Sequence, residues 1–326
     1  MSYQHKMLIQ PRQNNRQHRS LNQQRGIVIV VALFIVALVA AMSYVMIARL
    51  ERDTRRVELI THDSQAEFYA EGSVIWAKDV LRNDWLNQKK DKPVDVMPIK
   101  SPKNDMNGYA ITSSITDAQS KFNINNLSKP EWQQEFVKLI RTVYPKITQE
   151  GAAAIAAAVV DWVTPGAREN EYARYYAELP VPYRPAHRLM VDPGELLLVK
   201  GVTPELYAAL KPYISALPEV TPINPQTASP QVLMLLSPTM NYDTALAIHD
   251  LLVKSPPATL QAFLALDVIK NHQIKQDRIT WTSNYFLVET EVGIERQHIL
   301  LYTLLQRISA SAKADIIILW QNRGMG

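Results

Sequence analysis

The chain has 326 residues, 47% of them hydrophobic and 20% charged, with a formal net charge of +4 and no cysteine. That length and balance suit one membrane anchor plus one or two domains with real cores, and they exclude a disordered chain and a polytopic membrane protein. The lack of Cys rules out disulfides, thiolate metal sites and cysteine nucleophiles.

Residues 1–26 form a basic leader with Lys6, Arg12, Arg16, Arg19 and Arg25 and no acidic residue. These five charges account for the positive balance, and a chain starting at Ile27 is close to neutral, which gives no nucleic-acid footprint. Gly26 then opens directly onto an unbroken apolar run, Ile27 to Ala48. At about 1.5 Å per residue such a run spans the roughly 30 Å hydrocarbon core of a bilayer, so residues 27–48 read as one transmembrane helix. The far flank carries Arg49, Arg52, Arg55 and Arg56 among acidic residues. Lys and Arg are thus nearly balanced across the run and do not set the orientation. A short N-terminus and a large C-terminal body favour an N-terminus inside the cell. The run is too long for an ordinary secretory signal, and the small residue Gly26 precedes it rather than follows it. That order points to removal of the leader with the helix retained; the plain alternative is an uncut signal anchor.

From Leu50 to about Leu86 there is no Pro and a single Gly72, with Val57, Ile60, Phe68, Ile75 and Leu81 loosely spaced for a helix face. The anchor is expected to continue as one long helix whose outer half packs on a soluble domain. Lys89 to Asp105 reads as a surface loop, and Tyr109, Ile111, Ser113 and Ile115 alternate as a half-buried strand. An Asn-rich turn, Phe122 to Leu127, follows. Pro130 to Leu217 reads as short helices punctuated by prolines, and a second helical set covers Ser229 to Leu236, Asp243 to Val253 and Thr259 to Leu266. Strands return at Asn284 to Ile294, His298 to Gln306 and Ile316 to Trp320, the first two joined by a turn near Glu295-Arg296. A strand before the helices and strands after them give an α+β fold: a long N-terminal helix packed on a small, mainly antiparallel sheet, with a large inserted α-helical domain. The expected segments are 1–26 leader, 27–48 transmembrane helix, 49–120 helix extension and first part of the α/β domain, 121–220 inserted helical domain, and 221–326 a second helical segment and the closing strands.

The basic leader, Gly26 and long apolar helix resemble the type IV prepilin and pseudopilin class. That resemblance implies cleavage between Gly26 and Ile27 by a prepilin peptidase, and N-methylation of Ile27. Most members carry Glu as the fifth mature residue, whereas this chain has Val31. A carboxylate in a helix bundle is costly unless paired, and its proposed partner is the terminal ammonium of a neighbouring subunit. A subunit with nothing above it lacks that partner, so Val31 marks a tip subunit.

The resemblance narrows to a family on Gln65-Ala66 with Tyr69-Ala70 and Gly72, Phe122-Asn123-Ile124-Asn125 with Leu127, Asp161-Trp162, Tyr175-Tyr176, Glu195-Leu196, Pro212 to Pro218 and Ile223 to Ser229. Together these look like the general secretion pathway protein K family, the large minor pseudopilins of the type II secretion system. The resemblance implies assembly with the I and J minor pseudopilins, with H and the major pseudopilin as further neighbours, at the tip of a periplasmic pseudopilus. It also implies a single-pass protein of the Gram-negative inner membrane that supports protein export.

The resemblance further implies calcium in an acidic loop after Asp-Trp. Here Asp161, Glu169, Asn170 and Glu171 are the candidate ligands, and calcium takes six to eight oxygens. Thr164 and Arg168 stand where acidic residues are expected, and an arginine among the ligands opposes a cation. The alternative is a solvated acidic loop, and no other cofactor is implied.

Gly201-Val202 and Ile223 to Ser229 are also similar to helix-hairpin-helix modules that hold a DNA backbone. Asn224 and Thr227 are instead expected to cap a helix beginning near Ser229-Pro230, and no Lys/Arg cluster accompanies them. No nucleic-acid partner is expected. The histidines are scattered, and no zinc spacing, phosphate loop, dinucleotide fingerprint or nucleophile elbow is present, so the reading is non-enzymatic. The competing readings are an uncleaved membrane-anchored periplasmic adaptor and an anchored DNA-uptake protein.

Overall fold

The computed structural model describes residues 17–88, 97–166, 170–294, 297–310 and 313–325. Two units partition the chain, Met1–Gln65 and Ala66–Gly326. In the first, the described residues belong to the opening part of helix α1 (Gln17–Gln88), whose apolar run from Ile27 to Ile47 is exposed.

The second unit begins with the rest of α1. Ala66, Ala70, Val74, Ala77 and Leu81 are buried at spacings of three and four, which places them on one helix face. Three of the five are alanines, so the helix backbone comes close to what it packs against. That partner is a six-stranded sheet. Its first strands are β1 (Ile99–Lys100), β2 (Asn104–Met106) and β3 (Tyr109–Asp117). The alternation read in β3 is present, and Tyr109, Ile111, Ser113, Ile115 and Asp117 all point inward.

Between β3 and the next strand of that sheet lies the helical insertion. It holds β4 (Phe122–Asn123), α2 (Pro130–Val143), α3 (Gln149–Val163), α4 (Glu171–Ala177), α5 (Pro204–Leu210), β5 (Ile214–Ser215), α6 (Pro230–Leu233), α7 (Tyr242–Lys254), α8 (Leu260–Leu264) and α9 (Asp267–Lys270). Prolines at the first turns of α2, α5 and α6 start helices where their missing N–H is harmless. One apolar core runs through the whole insertion, from Phe122 to Ile279, around Phe136, Ile140, Val159, Trp162, Leu210 and Leu233.

The chain then returns to the sheet as β6 (Tyr285–Ile294), β7 (Gln297–Ala310) and β8 (Lys313–Met325). The order is β1-β3-β6-β7-β8, all antiparallel, with β2 also on β3. Asp117 at the end of β3 pairs with Phe286 near the start of β6. Departure and return are therefore neighbours, and the insertion leaves the ladder between β3 and β6 unbroken.

Several local expectations change. The segment read as a loop carries β1 and β2, while its residues 89–96 lie outside the described residues, as does the Glu295-Arg296 turn. β7 and β8 run well past Gln306 and Trp320, because inter-strand pairing continues through residues whose alternation is weak. The Asn-rich segment is no exposed turn: Asn123, Asn125 and Asn126 are buried. Asn224 and Thr227 do not cap α6; both hydrogen-bond Asp117, at 2.9 and 2.6 Å. The helix does start at Pro230, with Ser229 at its cap position and no side-chain cap bond.

Asp117 belongs to the charged junction beneath α1. Ser283 Oγ also donates to it at 2.6 Å and Gln119 N at 2.8 Å. Burial pushes the Asp117 carboxyl pKa up, and these four donors pull it back. Arg307, on the inward face of β7, donates to Asp84 at 3.3 Å and to the Ser283 carbonyl. Its guanidinium lies over the rings of Trp85 and Phe286, 5.1 and 4.9 Å from their centroids. Replacing Arg307 with Ala leaves the buried Asp84 carboxylate without its cation and should cost about 3–5 kcal/mol. That loss corresponds to a fall of about 10 °C in Tm, readable by circular dichroism of the purified chain. Arg82→Ala, which removes an exposed pair with Asp79, should shift Tm little. Equal shifts in the two variants would show that the junction contributes nothing special.

Candidate functional site

The sequence-derived processing residues lie in the first unit. Gly26 sits inside α1 with helical neighbours on both sides, and a Cβ added there would meet no atom within 4 Å. Glycine in a helix interior costs roughly 0.5–1 kcal/mol relative to alanine. No packing or backbone demand of the fold explains its presence. Ile27 is exposed, and so is Val31, at 49%. Among the described residues α1 is the one helix long and apolar enough to cross a membrane. Of the basic leader, Lys6, Arg12 and Arg16 lie outside the described residues.

The acidic-loop residues are brought together only in part. Asp161 lies in the last turn of α3, and Asn170 caps α4 by accepting from Tyr172 N and Ala173 N, both at 3.0 Å. Because the Asn170 carbonyl oxygen is used in that cap, its amide nitrogen faces Asp161 and donates to Oδ1. The other Asp161 oxygen is buried without a partner. Glu171 is exposed in the first turn of α4, and Glu169 lies outside the described residues. Among the described residues this corner offers one unpaired carboxylate oxygen and an amide N–H, against the six to eight oxygens that calcium takes. Among the described residues no group of three His, Asp or Glu could hold a metal ion.

The same corner builds an aromatic cluster. Trp162 packs edge-on against Tyr176 and Tyr183, and Tyr176 against Tyr175. Burial pushes the Tyr176 phenol up to about 12, so it stays protonated while accepting from Lys200 N at 2.9 Å. Lys200 Nζ sits 4.7 Å from the Tyr175 ring centroid. Gly201, in the adjoining turn, has φ +87, and a Cβ there would press on Ile155 at 3.1 Å. The Gly201-Val202 pair thus serves packing against α3.

The remaining motifs also have structural roles. Ala66 and Ala70 press on β3 and β6, and Tyr69 packs on Tyr109 with centroids 5.1 Å apart. Nothing in the structure explains Gly72. Asn125 donates to the carbonyls of Met190 and Leu217, at 2.9 and 2.7 Å, and accepts from Met190 N at 2.8 Å. Asn126 exchanges both amide bonds with the Thr221 backbone, each at 2.9 Å. Glu195 closes a capping box with Asp192, and Leu196 enters the core.

Sequence reasoning missed the buried charges: Asp84 with Arg307, and Glu135 with Arg278 at 3.1 Å. A signal was present. Asp84 follows Leu81 on the buried helix stripe, and Arg307 follows Leu305 on the inward face of β7, positions where alternation calls for apolar residues.

The class these features define is a chain with one N-terminal helix long and apolar enough to cross a membrane, which continues as the packing helix of an antiparallel sheet that a helical insertion interrupts. Comparison with known proteins narrows it. The model of the type II secretion system (T2SS) protein K family matches residues 120–219. The chain is 30% identical over 305 residues to the type II secretion system protein K of Pectobacterium carotovorum subsp. carotovorum, covering 84% of this chain and 89% of that one. It is also 30% identical over 242 residues to the protein K of Aeromonas hydrophila, covering 67% and 71%. In fold it resembles a chain of the solved GspK-GspI-GspJ complex of the enterotoxigenic Escherichia coli type 2 secretion system, with TM-score 0.66 and 22% identity over 83% of this chain and 100% of that one. The chain belongs to the type II secretion system protein K family.

The donor set around Asp161 sets an expected outcome. Millimolar calcium should leave the Tm of the purified chain unchanged within about 1 °C, because a ligand raises stability only by binding the folded state. A rise of several degrees that Asp161→Asn abolishes would mean that Glu169 and its neighbours complete a cation site.

Proposed function

We propose that this protein is a minor pseudopilin at the tip of the type II secretion pseudopilus, where it starts or caps the filament and supports protein export across the outer membrane. The observation that carries this reading is the exposed, uncharged run from Ile27 to Ile47 on a chain of the protein K family. A helix apolar on all sides is stable in lipid or among other apolar helices, and not in water. The chain is inserted with its N-terminus in the cytoplasm and its body in the periplasm. A prepilin peptidase cuts after Gly26, a residue the fold itself does not require, and Ile27 is methylated. The helix then exchanges lipid for the flanks of neighbouring subunit helices. Val31, in place of the usual carboxylate, suits a subunit with none above it.

Partner choice follows from the solved complex in which a structurally similar chain assembles with GspI and GspJ. The I and J minor pseudopilins are the expected neighbours, with H and the major pseudopilin beyond them. The activity is templated packing rather than bond chemistry.

Mass spectrometry of protein purified from secreting cells should find a mature N-terminus at methylated Ile27; an intact leader would establish the uncut anchor instead. Gly26→Arg should accumulate full-length precursor and stop export, and normal export by that variant would remove the processing step from the mechanism. Co-expressed I and J partners should co-purify with the mature chain in detergent. Their absence from a well-folded preparation would refute the assembly.

A further inference from the structure

A groove of about 350 Å³ lies between the helical insertion and the sheet face turned away from α1. Its floor includes Thr116, Leu287, Leu304 and Trp320, which are successive register partners across β3, β6, β7 and β8 and so form one row over the sheet. Its opposite wall is the β5 segment with Ser215, and Lys121 and Lys211 line it as well.

Two of these groups lack what their chemistry requires. Ser215 is 7% exposed, and its hydroxyl has no hydrogen-bond partner. The Trp320 indole N–H, in the floor, is likewise buried without an acceptor. Buried donors are ordinarily satisfied, so two unmet ones lining the same groove ask for an acceptor from outside the chain. The charges agree. Asp192, also in the lining, is used by Gly194 N at 2.6 Å. Glu289 lies beside Lys121 and bonds Tyr302. Among the described residues no carboxylate comes within salt-bridge distance of Lys211, whose side chain is exposed.

The groove also reaches the edge of the sheet. β8 pairs with β7 on one side, and among the described residues no strand pairs with its other side. Trp320, Asn322 and Gly324 of β8 alternate along the groove. An extended segment laid beside β8 would pair its main chain with that edge and turn every second side chain towards the groove.

We propose that the groove docks an extended segment of a partner polypeptide, added beside β8, which places a carboxylate side chain flanked by aliphatic residues against Lys211, Ser215 and Trp320. The inference stands on the body of the protein and does not depend on its place in the filament. The probe is a fluorescein-labelled acetyl-Thr-Val-Thr-Glu-Thr-Leu peptide, in which Val, Glu and Leu share one face of the strand, titrated by anisotropy against the full chain in detergent micelles, with the Glu→Gln peptide as its uncharged match.

The Glu peptide should bind at least about tenfold more tightly than the Gln peptide, the worth of one charge-assisted contact. Lys211→Gln should erase that difference. Ser215→Ala should weaken binding several-fold without lowering Tm, because the hydroxyl it removes bonds nothing in the free protein. Equal binding of the two peptides, no saturation, or an unchanged affinity in Ser215→Ala would overturn the proposal. A matched loss in Lys100→Gln, away from the groove, would also overturn it by showing bulk attraction only.

Discussion

One buried guanidinium holds the body of this protein in register. Arg307 reaches from β7 to Asp84 on the helix and to the Ser283 carbonyl where the insertion rejoins the sheet. The same polar pocket contains Asp117 at the end of β3, with Asn224 and Thr227 from the insertion bonded to it. Taking such charges out of water is expensive, and aliphatic side chains of equal volume would pack there at less cost. What the charges add is selectivity of arrangement. Sliding β7 by one residue would turn Arg307 to the opposite face and leave the Asp84 carboxylate stranded, so the paired state has no near competitor.

That constraint explains how a sheet of this size tolerates so large an interruption. β3 and β6 are direct neighbours, with Asp117 opposite Phe286, so the chain leaves and re-enters at almost one point. Insertions succeed where the ends are close and the flanking backbone bonds stay intact. The insertion is then tied down by its own asparagines. Asn123, Asn125 and Asn126 use their amides to bond residues 190 and 217–221, far along the chain. An amide that both donates and accepts can satisfy two backbone groups at once, which apolar packing cannot do.

α1 shows two kinds of apolar surface with two consequences. From Ala66 to Leu81 the buried residues Ala66, Ala70, Val74, Ala77 and Leu81 form one stripe, whose alanines bring helix and sheet close together, while Phe68 and Ile75, expected on the packing face, stay exposed. From Ile27 to Ile47 the apolar residues cover every side and remain exposed. A stripe can be buried by one partner. A surface apolar all round demands a surrounding medium, whether lipid or several other helices. The exposed run and the packed stripe of α1 therefore call for different surroundings.

Much of this was legible in the residues themselves. The apolar run, its break at Arg49, the alternation of β3 and the proline-punctuated helices are local patterns, and local patterns record the period of a helix, a strand or a bilayer. The acidic loop was legible only as a composition: Asp161, Asn170 and Glu171 fall within one short stretch of sequence, yet folding turns an amide N–H towards the carboxylate and leaves Glu171 in solvent. Tertiary structure alone decided which charge meets which, that Asn224 and Thr227 serve Asp117 rather than a helix cap, and that Ser215 and Trp320 share a groove. Such pairings join residues dozens to hundreds of positions apart, where no periodicity reaches, and they are settled only when burial removes water as the alternative partner.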